Sequence, residues 1–361
     1  MMSYKVPNKI RIDIVVVLYC IILVAGLLSS HNISSYNYLI LGITVACFTI
    51  IFNLEKMYFG LAVSLLCSIL ILLQTNTDIL FGILDLSTVI LLLQIIKVAT
   101  KNVSNISTSL KFFCIVSFIY ILLYLGFSFS SSLYVHENGR YIGLFGSTNV
   151  SSSIILFLVI FLSEYNTKMK IFNSIFFISL LFLLYIYVFY ISKTLSLLFA
   201  IPYFIYQYYK LLNNKKAFFF LIILVGIFFI YLLNNNRLSF GYDKKLSYNT
   251  RMMIYSMFYE KLVNSYFIIP HGFRSSTDLI QLYTANENYS PHNDFLKYLY
   301  DWGIFFIILF IYFIYKIRYL FSSYKGFLIM LIFFSTALHN MLFSVYTLIP
   351  FLFILLLYRY K

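Results

Sequence analysis

The sequence Ser290-Pro291-His292-Asn293-Asp294-Phe295 lies near the far end of a long polar segment, where apolar residues resume. The polar segment runs from residue 234 to residue 302, and no other long stretch of the chain has a composition so unsuited to lipid. Polar groups without partners are costly in hydrocarbon, so this segment is expected to lie in water. The rest of the chain is expected to be the membrane frame that holds it.

The overall composition predicts a membrane protein. The chain has 361 residues, of which 62% are hydrophobic and 11% are charged, whereas about 25% of residues in a soluble domain are charged. The net charge of +14 is better explained by cations in cytoplasmic loops than by nucleic-acid binding. We expect an all-α polytopic protein with thiols buried among apolar residues and no metal site.

Twelve apolar runs are long enough, or nearly so, to cross the hydrocarbon, which takes about 20 residues per helix. The predicted spans are residues 12–28, 36–52, 58–73, 79–96, 110–129, 150–162, 171–191, 195–209, 217–233, 295–315, 327–338 and 341–357. Residues 1–233 would thus hold nine spans, residues 234–294 a large outer loop, and residues 295–361 three more spans. Two cuts are short polar breaks, at Ser192-Lys193-Thr194 and at His339-Asn340.

Charge predicts the orientation of these spans. With the N-terminus in the cytoplasm, 17 of the 26 Lys and Arg residues fall on the cytoplasmic side. Six of the nine others lie in the predicted outer loop, residues 234–294, where the rule is weak because long loops are translocated regardless of charge. Both termini are therefore expected in the cytoplasm and the large loop outside.

Two helices are predicted inside the large loop. Residues 250–263 form an amphipathic pattern, with Asn249 or Thr250 as the cap. The apolar face of this helix would hold Met253, Ile254, Met257, Phe258 and Leu262. Residues 276–285 suit a second short helix. Both could lie on the membrane surface and flank a cleft.

Cationic side chains on the predicted outer side could bind an anionic group. Arg140 precedes a Gly- and Phe-containing turn, and Asn149 begins a helix whose N-terminus favours anions. A guanidinium binds phosphate oxygens through two parallel hydrogen bonds. Lys193 would add a second cation, unless it only snorkels to the interface. Arg251 would add a third, unless it forms a surface ion pair with Asp243 or Glu260.

His292 is the candidate general base, because histidine titrates near neutral pH and can accept a proton from a hydroxyl. Taken without the other motifs, the same pattern would rather indicate a turn histidine without a catalytic role. Asn293 and Asp294 could cap the helix that starts at Phe295 and so fix His292. The His339-Asn340 pair is interpreted as a helix break rather than part of the same cavity. His271 and His31 have no predicted role.

Four motifs together resemble the bacterial O-antigen polymerase and ligase superfamily. They are Arg140-Tyr141-Ile142-Gly143-Leu144-Phe145-Gly146-Ser147-Thr148-Asn149, Ser192-Lys193-Thr194, the pairing of Arg251 with Pro270-His271-Gly272-Phe273, and Pro291-His292-Asn293-Asp294-Phe295-Leu296 followed by Gly303. Two departures are Lys193 in place of an arginine and a single glycine, Gly272, in place of two. The resemblance covers residues 140–357.

The resemblance implies a GT-C-like, metal- and cofactor-independent glycosyltransferase at the periplasmic face of the bacterial inner membrane. The donor would be an undecaprenyl-diphosphate-linked glycan, whose diphosphate would be bound by Arg140, Lys193 and Arg251. His292 would accept the acceptor's proton, and Asn149, Gly272, Arg274 and Asn293 would line the cleft. Membrane lipid and a chain-length regulator protein are the other expected partners.

Two other functions fit parts of the same pattern. An O-antigen ligase would share the donor and the motifs but transfer the polymer to lipid A-core. A polysaccharide flippase would also be basic and polytopic, but would more often place ionisable residues inside its helices. The sequence favours a polymerase, by resemblance to Phe-, Tyr- and Ile-rich polymerases of surface-polysaccharide clusters.

Overall fold

The computed structural model describes residues 92, 107–129, 148–192, 198–212, 242–264, 269–272, 275–284, 293–339, 342 and 344–359. These residues are helical or form turns between helices, and no strand occurs among them. In chain order the α-helices are α1 (Ser107–Phe129), α2 (Thr148–Met169), α3 (Ser174–Ser192), α4 (Ile201–Leu212), α5 (Tyr242–Asn264), α6 (Ser275–Thr284), α7 (Asp294–Trp302), α8 (Ile304–Ile317), α9 (Tyr324–Ser335) and α10 (Val345–Arg359). Short 3₁₀ helices, Arg318–Ser322 and Thr336–His339, follow α8 and α9.

Helix α2 is the centre of the bundle. Its residues 151–166 are all buried, and it packs against α10, α3 and α1. Aromatic rings join these helices: Phe113 of α1 stacks on Phe353 of α10 with 3.9 Å between centroids, and Phe161 of α2 meets Phe113 edge-on at 4.7 Å. The described helices α1, α2, α3 and α10 therefore contribute to one continuous apolar core.

Three segments of the described chain are long and apolar enough to cross a membrane: Ser107–Gly126, Val150–Met169 and Ile304–Ser322. The protein is thus a helical membrane protein by length and composition of these segments. The predicted spans at residues 12–28, 36–52, 58–73, 79–96 and 217–233 lie outside the described residues, apart from Leu92.

Helices α3 and α4 form an antiparallel hairpin, which confirms the predicted break after Ser192. The Tyr208 hydroxyl donates to Ser179 Oγ at 2.7 Å, and Phe182 and Tyr185 both contact the Phe204 ring. Helix α4 has only 12 residues, or about 18 Å of helix, and is shorter than a membrane crossing.

Several predicted boundaries are wrong. The span predicted at 150–162 continues to Met169 in α2, and the helix predicted at 250–263 begins at Tyr242 in α5. Asn249 and Thr250 therefore lie inside α5 and cannot cap it. Met253 is 49% exposed, whereas Ile254, Met257, Phe258 and Leu262 are buried as predicted.

The span predicted at 295–315 is two helices. Gly303 separates α7 from α8 with φ 54° and ψ −131°, a backbone conformation that residues with a Cβ rarely adopt. The Gly303 amide donates to the Leu299 carbonyl at 2.9 Å and ends α7. The apolar segment long enough to cross a membrane therefore starts at Ile304, not at Phe295.

The last two helices are divided as predicted near His339. The helical structure that begins at Tyr324 ends with the 3₁₀ turn at His339, and α10 begins at Val345, four residues later than predicted. Helix α9 begins three residues earlier than predicted because Ser323 caps it, with Ser323 Oγ accepting from the Gly326 amide at 3.1 Å.

Candidate functional site

Basic side chains gather at one end of the bundle, which we call the basic end. Lys325, at the start of α9, forms a salt bridge with Glu164 of α2. Lys168 Nζ, in the last turn of α2, donates to the Leu357 carbonyl of α10 at 2.7 Å. The Arg359 guanidinium lies 3.9 Å from the centroid of the Tyr319 ring. The last turn of α2, the 3₁₀ helix after α8, the start of α9 and the last turn of α10 therefore meet at the basic end.

The opposite ends of these helices meet at what we call the loop end. The start of α2 at Thr148, the α7–α8 junction at Gly303 and the 3₁₀ turn Thr336–His339 lie there, because each helix runs one way through the bundle. Helix α7 contacts that 3₁₀ turn directly. The backbone of Asn149, in the first turn of α2, is thus at the same end of the bundle as α7.

Helix α7 begins with the predicted cap. Asn293 has extended φ and ψ angles of −156° and 101°, and Asn293 Oδ1 accepts from the amides of Phe295 and Leu296 at 3.0 and 3.3 Å. Such a cap satisfies two of the amides that a helix start leaves unpaired. The residue next to His292 is therefore fixed in conformation.

Asp294 does not share the capping role that the sequence suggested. Its side chain is 1% exposed, and Asp294 Oδ2 accepts from the Leu342 backbone amide at 2.7 Å. A buried carboxylate is costly unless it is hydrogen-bonded, and this bond joins the start of α7 to the segment between α9 and α10. Leu342 is thus held beside the residue that follows Asn293.

Asp301 anchors the other end of α7. It is fully buried, and Asp301 Oδ1 accepts from the Ser276 amide at 2.7 Å and from Ser275 Oγ at 3.1 Å. Ser276 Oγ donates to Asp301 Oδ2 at 3.1 Å. The carboxylate thus sits at the N-terminus of α6, where the helix dipole favours negative charge.

The segment 269–272 is held against the same end of α7. The Gly272 amide donates to the Asp301 carbonyl at 3.0 Å, and Gly272 has φ 104°, a conformation that favours glycine. The His271 ring stacks on the Tyr300 ring with 4.1 Å between centroids and 9° between planes. The structure therefore gives Gly272 and His271 defined places in the loop.

Helices α5, α6 and α7 share a small apolar core, which we call the loop cluster. It contains Ile254, Met257, Phe258, Leu262, Leu279, Ile280 and Tyr300. The Phe258 ring meets the Tyr300 ring edge-on at 5.4 Å. Leu299, one residue before Tyr300, also packs on the main bundle core. The polar segment of the sequence thus folds into a packed unit that α7 connects to the membrane helices.

Arg251 lies within α5 on the side that faces this unit. It precedes Ile254 and Phe258 by three and seven residues, so the three share one face of the helix. The side chain is half-buried, and the buried Arg251 Nε has no hydrogen-bond partner. Glu260 is exposed and does not pair with it, while the Asp243 side chain lies outside the described residues. Within the described part of the chain, Arg251 Nε is thus a buried donor without an acceptor.

The other predicted site residues are only partly described. Arg140, Lys193, Arg274 and His292 lie outside the described residues, and Asn149 is described in its backbone alone. Among the described side chains no three His, Cys, Asp or Glu residues group as metal ligands would. The assignment of these residues to a diphosphate site stays a prediction.

Sequence reasoning missed the hydrogen bond from the Leu342 amide to Asp294, the anchoring of α6 by Asp301 and the stack of His271 on Tyr300. One signal was present in the sequence. Asp294 and Asp301 are seven residues apart, so they lie on one face of a helix that also carries four aromatic residues. Acidic residues on the buried face of an amphipathic helix indicate specific hydrogen bonds.

Comparison with known proteins gives no relative from which a role could be transferred. A scan against protein-family models found no matching family, and searches of curated proteins and of solved structures found no significant match. The function is therefore inferred from the residues and their geometry.

Proposed function

We propose that this chain is a membrane glycosyltransferase that polymerises undecaprenyl-diphosphate-linked oligosaccharide repeats at the outer face of the bacterial inner membrane. The proposal combines the four sequence motifs with the packing of the large loop. It places both termini in the cytoplasm and the loop cluster in the periplasm.

The observation that carries the proposal is the polarity of the bundle. Lys168, Lys325 and Arg359 lie at the basic end, as cytoplasmic cations would. The start of α2, with Asn149, and α7, with its packed loop, lie at the opposite end. Arg251 and the helix start that carries Asn149 thus belong to the face where a lipid-linked donor would present its diphosphate.

The chemistry follows from these groups. A sugar hydroxyl of the acceptor attacks the anomeric carbon of the donor and forms the new glycosidic bond. The bond from that carbon to the diphosphate oxygen breaks, and its electron pair leaves with undecaprenyl diphosphate. Negative charge grows on the diphosphate, so a fixed guanidinium such as that of Arg251 lowers the barrier. The hydroxyl proton passes to an imidazole of the loop, for which the sequence motif favours His292.

The described spans favour an enzyme over a flippase. Across Ser107–Gly126, Val150–Met169 and Ile304–Ser322, Glu164 is the one acidic residue. It is paired with Lys325 at the basic end and accepts from Tyr203 and Gln207 at 2.7 and 2.6 Å. An acid held by three partners at one end of the bundle does not line a path across the membrane in the way that a transporter needs.

Reconstitution tests the activity directly. We expect the purified full chain, in liposomes without an ion gradient, to lengthen undecaprenyl-diphosphate-linked repeats and release undecaprenyl diphosphate. Gel electrophoresis of the labelled glycan reports its length. If the lipid only moved between leaflets and the glycan kept its length, the flippase would be the correct function.

A deletion strain separates polymerase from ligase. Loss of a polymerase leaves lipopolysaccharide capped with a single repeat, because ligation still proceeds. Loss of a ligase leaves bare core, with long polymer retained on undecaprenyl diphosphate. We expect the first phenotype, and the second would reassign the chain as a ligase.

A further inference from the structure

The ring of His271 is held in one tautomer. His271 Nδ1 lies 3.1 Å from the Tyr300 carbonyl oxygen, and a carbonyl oxygen can only accept a hydrogen bond. Nδ1 must therefore carry the proton, which leaves Nε2 with its lone pair in the neutral imidazole. The His271 backbone amide also points to that carbonyl, at 3.4 Å.

The orientation of the ring is fixed as well. The parallel stack on Tyr300 sets its plane, and the bond from the Gly272 amide to the Asp301 carbonyl fixes the backbone beside it. Tyr300 is in turn held by Phe258. The side chain is only half-buried. Because Nδ1 faces the Tyr300 carbonyl, Nε2 lies on the side of the ring away from that carbonyl.

These features suit a general base. A general base needs a nitrogen with a free lone pair, a fixed orientation and access to the hydroxyl that loses its proton. His271 and Arg251 belong to two chain segments that pack on the same helix, α7, through Tyr300 and Phe258. A donor diphosphate bound by Arg251 would therefore lie beside the unit that presents the imidazole.

From this geometry we propose that His271, rather than His292, accepts the proton of the attacking sugar hydroxyl. The proposal builds on the glycosyltransferase function above and names a catalytic residue for it. In the step, the hydroxyl oxygen bonds to the anomeric carbon, the proton moves to His271 Nε2, and the electron pair of the broken bond leaves with undecaprenyl diphosphate. The imidazolium that forms keeps its Nδ1–H bond to the Tyr300 carbonyl.

Two substitutions separate this role from a structural one. In His271→Asn the amide nitrogen can replace Nδ1 as donor to the Tyr300 carbonyl, but no group replaces Nε2. In His271→Phe the stacked ring is kept and both nitrogens are lost. If His271 is the base, both variants lose about 10²–10⁴-fold in turnover while donor KM changes little. Leu282→Asn, on α6 and 83% exposed, is the matched control and should keep full activity.

The test uses the full chain in liposomes, with undecaprenyl-diphosphate-linked repeats and release of undecaprenyl diphosphate as the readout. The pH profile is the second measurement, because the fall in rate at acidic pH that protonation of the imidazole causes should disappear in His271→Asn. Thermal unfolding checks that each variant folds. If one of them does not fold, the His271→Gln variant is measured in its place.

The proposal is overturned if His271→Asn keeps wild-type turnover, or if it loses activity but keeps the acidic limb of the wild-type profile. The His292→Asn variant is measured alongside and should still show the fall in rate at acidic pH. If that fall were lost in His292→Asn while His271→Asn had normal turnover, the base would be His292. If the wild-type chain released no undecaprenyl diphosphate, the proposed function itself would be overturned. If the wild type and His271→Asn were equally active, only the assignment of the base would be overturned.

Discussion

At the scale of single residues, α7 is held by two buried carboxylates, each of which accepts hydrogen bonds from a different segment of the chain. Asp294 and Asp301 lie seven residues apart on α7 and bind two different chain segments. The free-energy cost of burying each charge is offset by backbone and hydroxyl donors. The short helix thereby joins residues near 276 and near 342 that are distant in the sequence.

Replacing Asp301 tests this role. In Asp301→Ala the buried Ser276 amide loses its acceptor, and an unsatisfied buried donor costs about 1–3 kcal/mol. We expect a lower thermal midpoint in detergent and faster protease cleavage within residues 265–290. Asp278→Ala, an exposed acid on α6, is the control, and equal destabilisation by both changes would contradict the anchoring role.

Replacing Arg251 tests the predicted diphosphate contact. Arg251→Ala should lower turnover by about 10²–10³-fold, as loss of one electrostatic donor in an active site typically does. Arg251→Lys should also be impaired, because lysine cannot form the two parallel hydrogen bonds of a guanidinium. Polymer length and the amount of protein in the membrane are measured together. Wild-type polymer in both variants would remove Arg251 from the site.

At the scale of elements, the sequence predicted where helices exist better than where they end. The apolar patterns located α1, α3, α6 and the interior of α2. The end of α2 was missed because Glu164 is polar in sequence, but its charge is met by Lys325 and by α4. The division at Gly303 was missed because apolar residues continue on both sides of the glycine. Only the backbone conformation of Gly303 separates α7 from α8.

The site was predictable to the same degree. The motif gave the cap residue Asn293, whose role needs only its immediate neighbours. His271 could not be recognised, because its stack and hydrogen bond come from Tyr300, 29 residues away. Contacts of this range depend on how α5, α6 and α7 pack, which no local pattern specifies.

The cap of α7 gives a prediction at this scale. Asn293→Ala removes the acceptor of the Phe295 and Leu296 amides and should cost about 1 kcal/mol of stability. Asn293→Ser should retain most of it, because serine is also a good cap. Chemical denaturation in detergent measures both. If the alanine and serine variants were equally destabilised, the cap would not be the cause.

At the scale of the whole molecule, the pair Glu164–Lys325 connects α2, α4 and α9 at the basic end. Removing one member of a buried ion pair leaves the other charge unpaired and costs about 3–5 kcal/mol. We expect Glu164→Gln and Lys325→Met each to destabilise strongly, and the double variant less than the sum. Unfolding free energies of the four proteins measure this, and simple additivity would show that the two charges do not interact.

The orientation of the bundle is the last prediction, because the proposed chemistry needs the loop cluster outside the cytoplasm. The basic end carries Lys168, Lys325 and Arg359 and should face the cytoplasm. Since α7 and the start of α2 lie at the other end, the loop should be periplasmic. An alkaline phosphatase fused after Asn288 should therefore be active, and one fused after Ser322 inactive. Activity in the reverse pattern would place Arg251 and His271 on the cytoplasmic side, away from a periplasmic donor, and would exclude the proposed function.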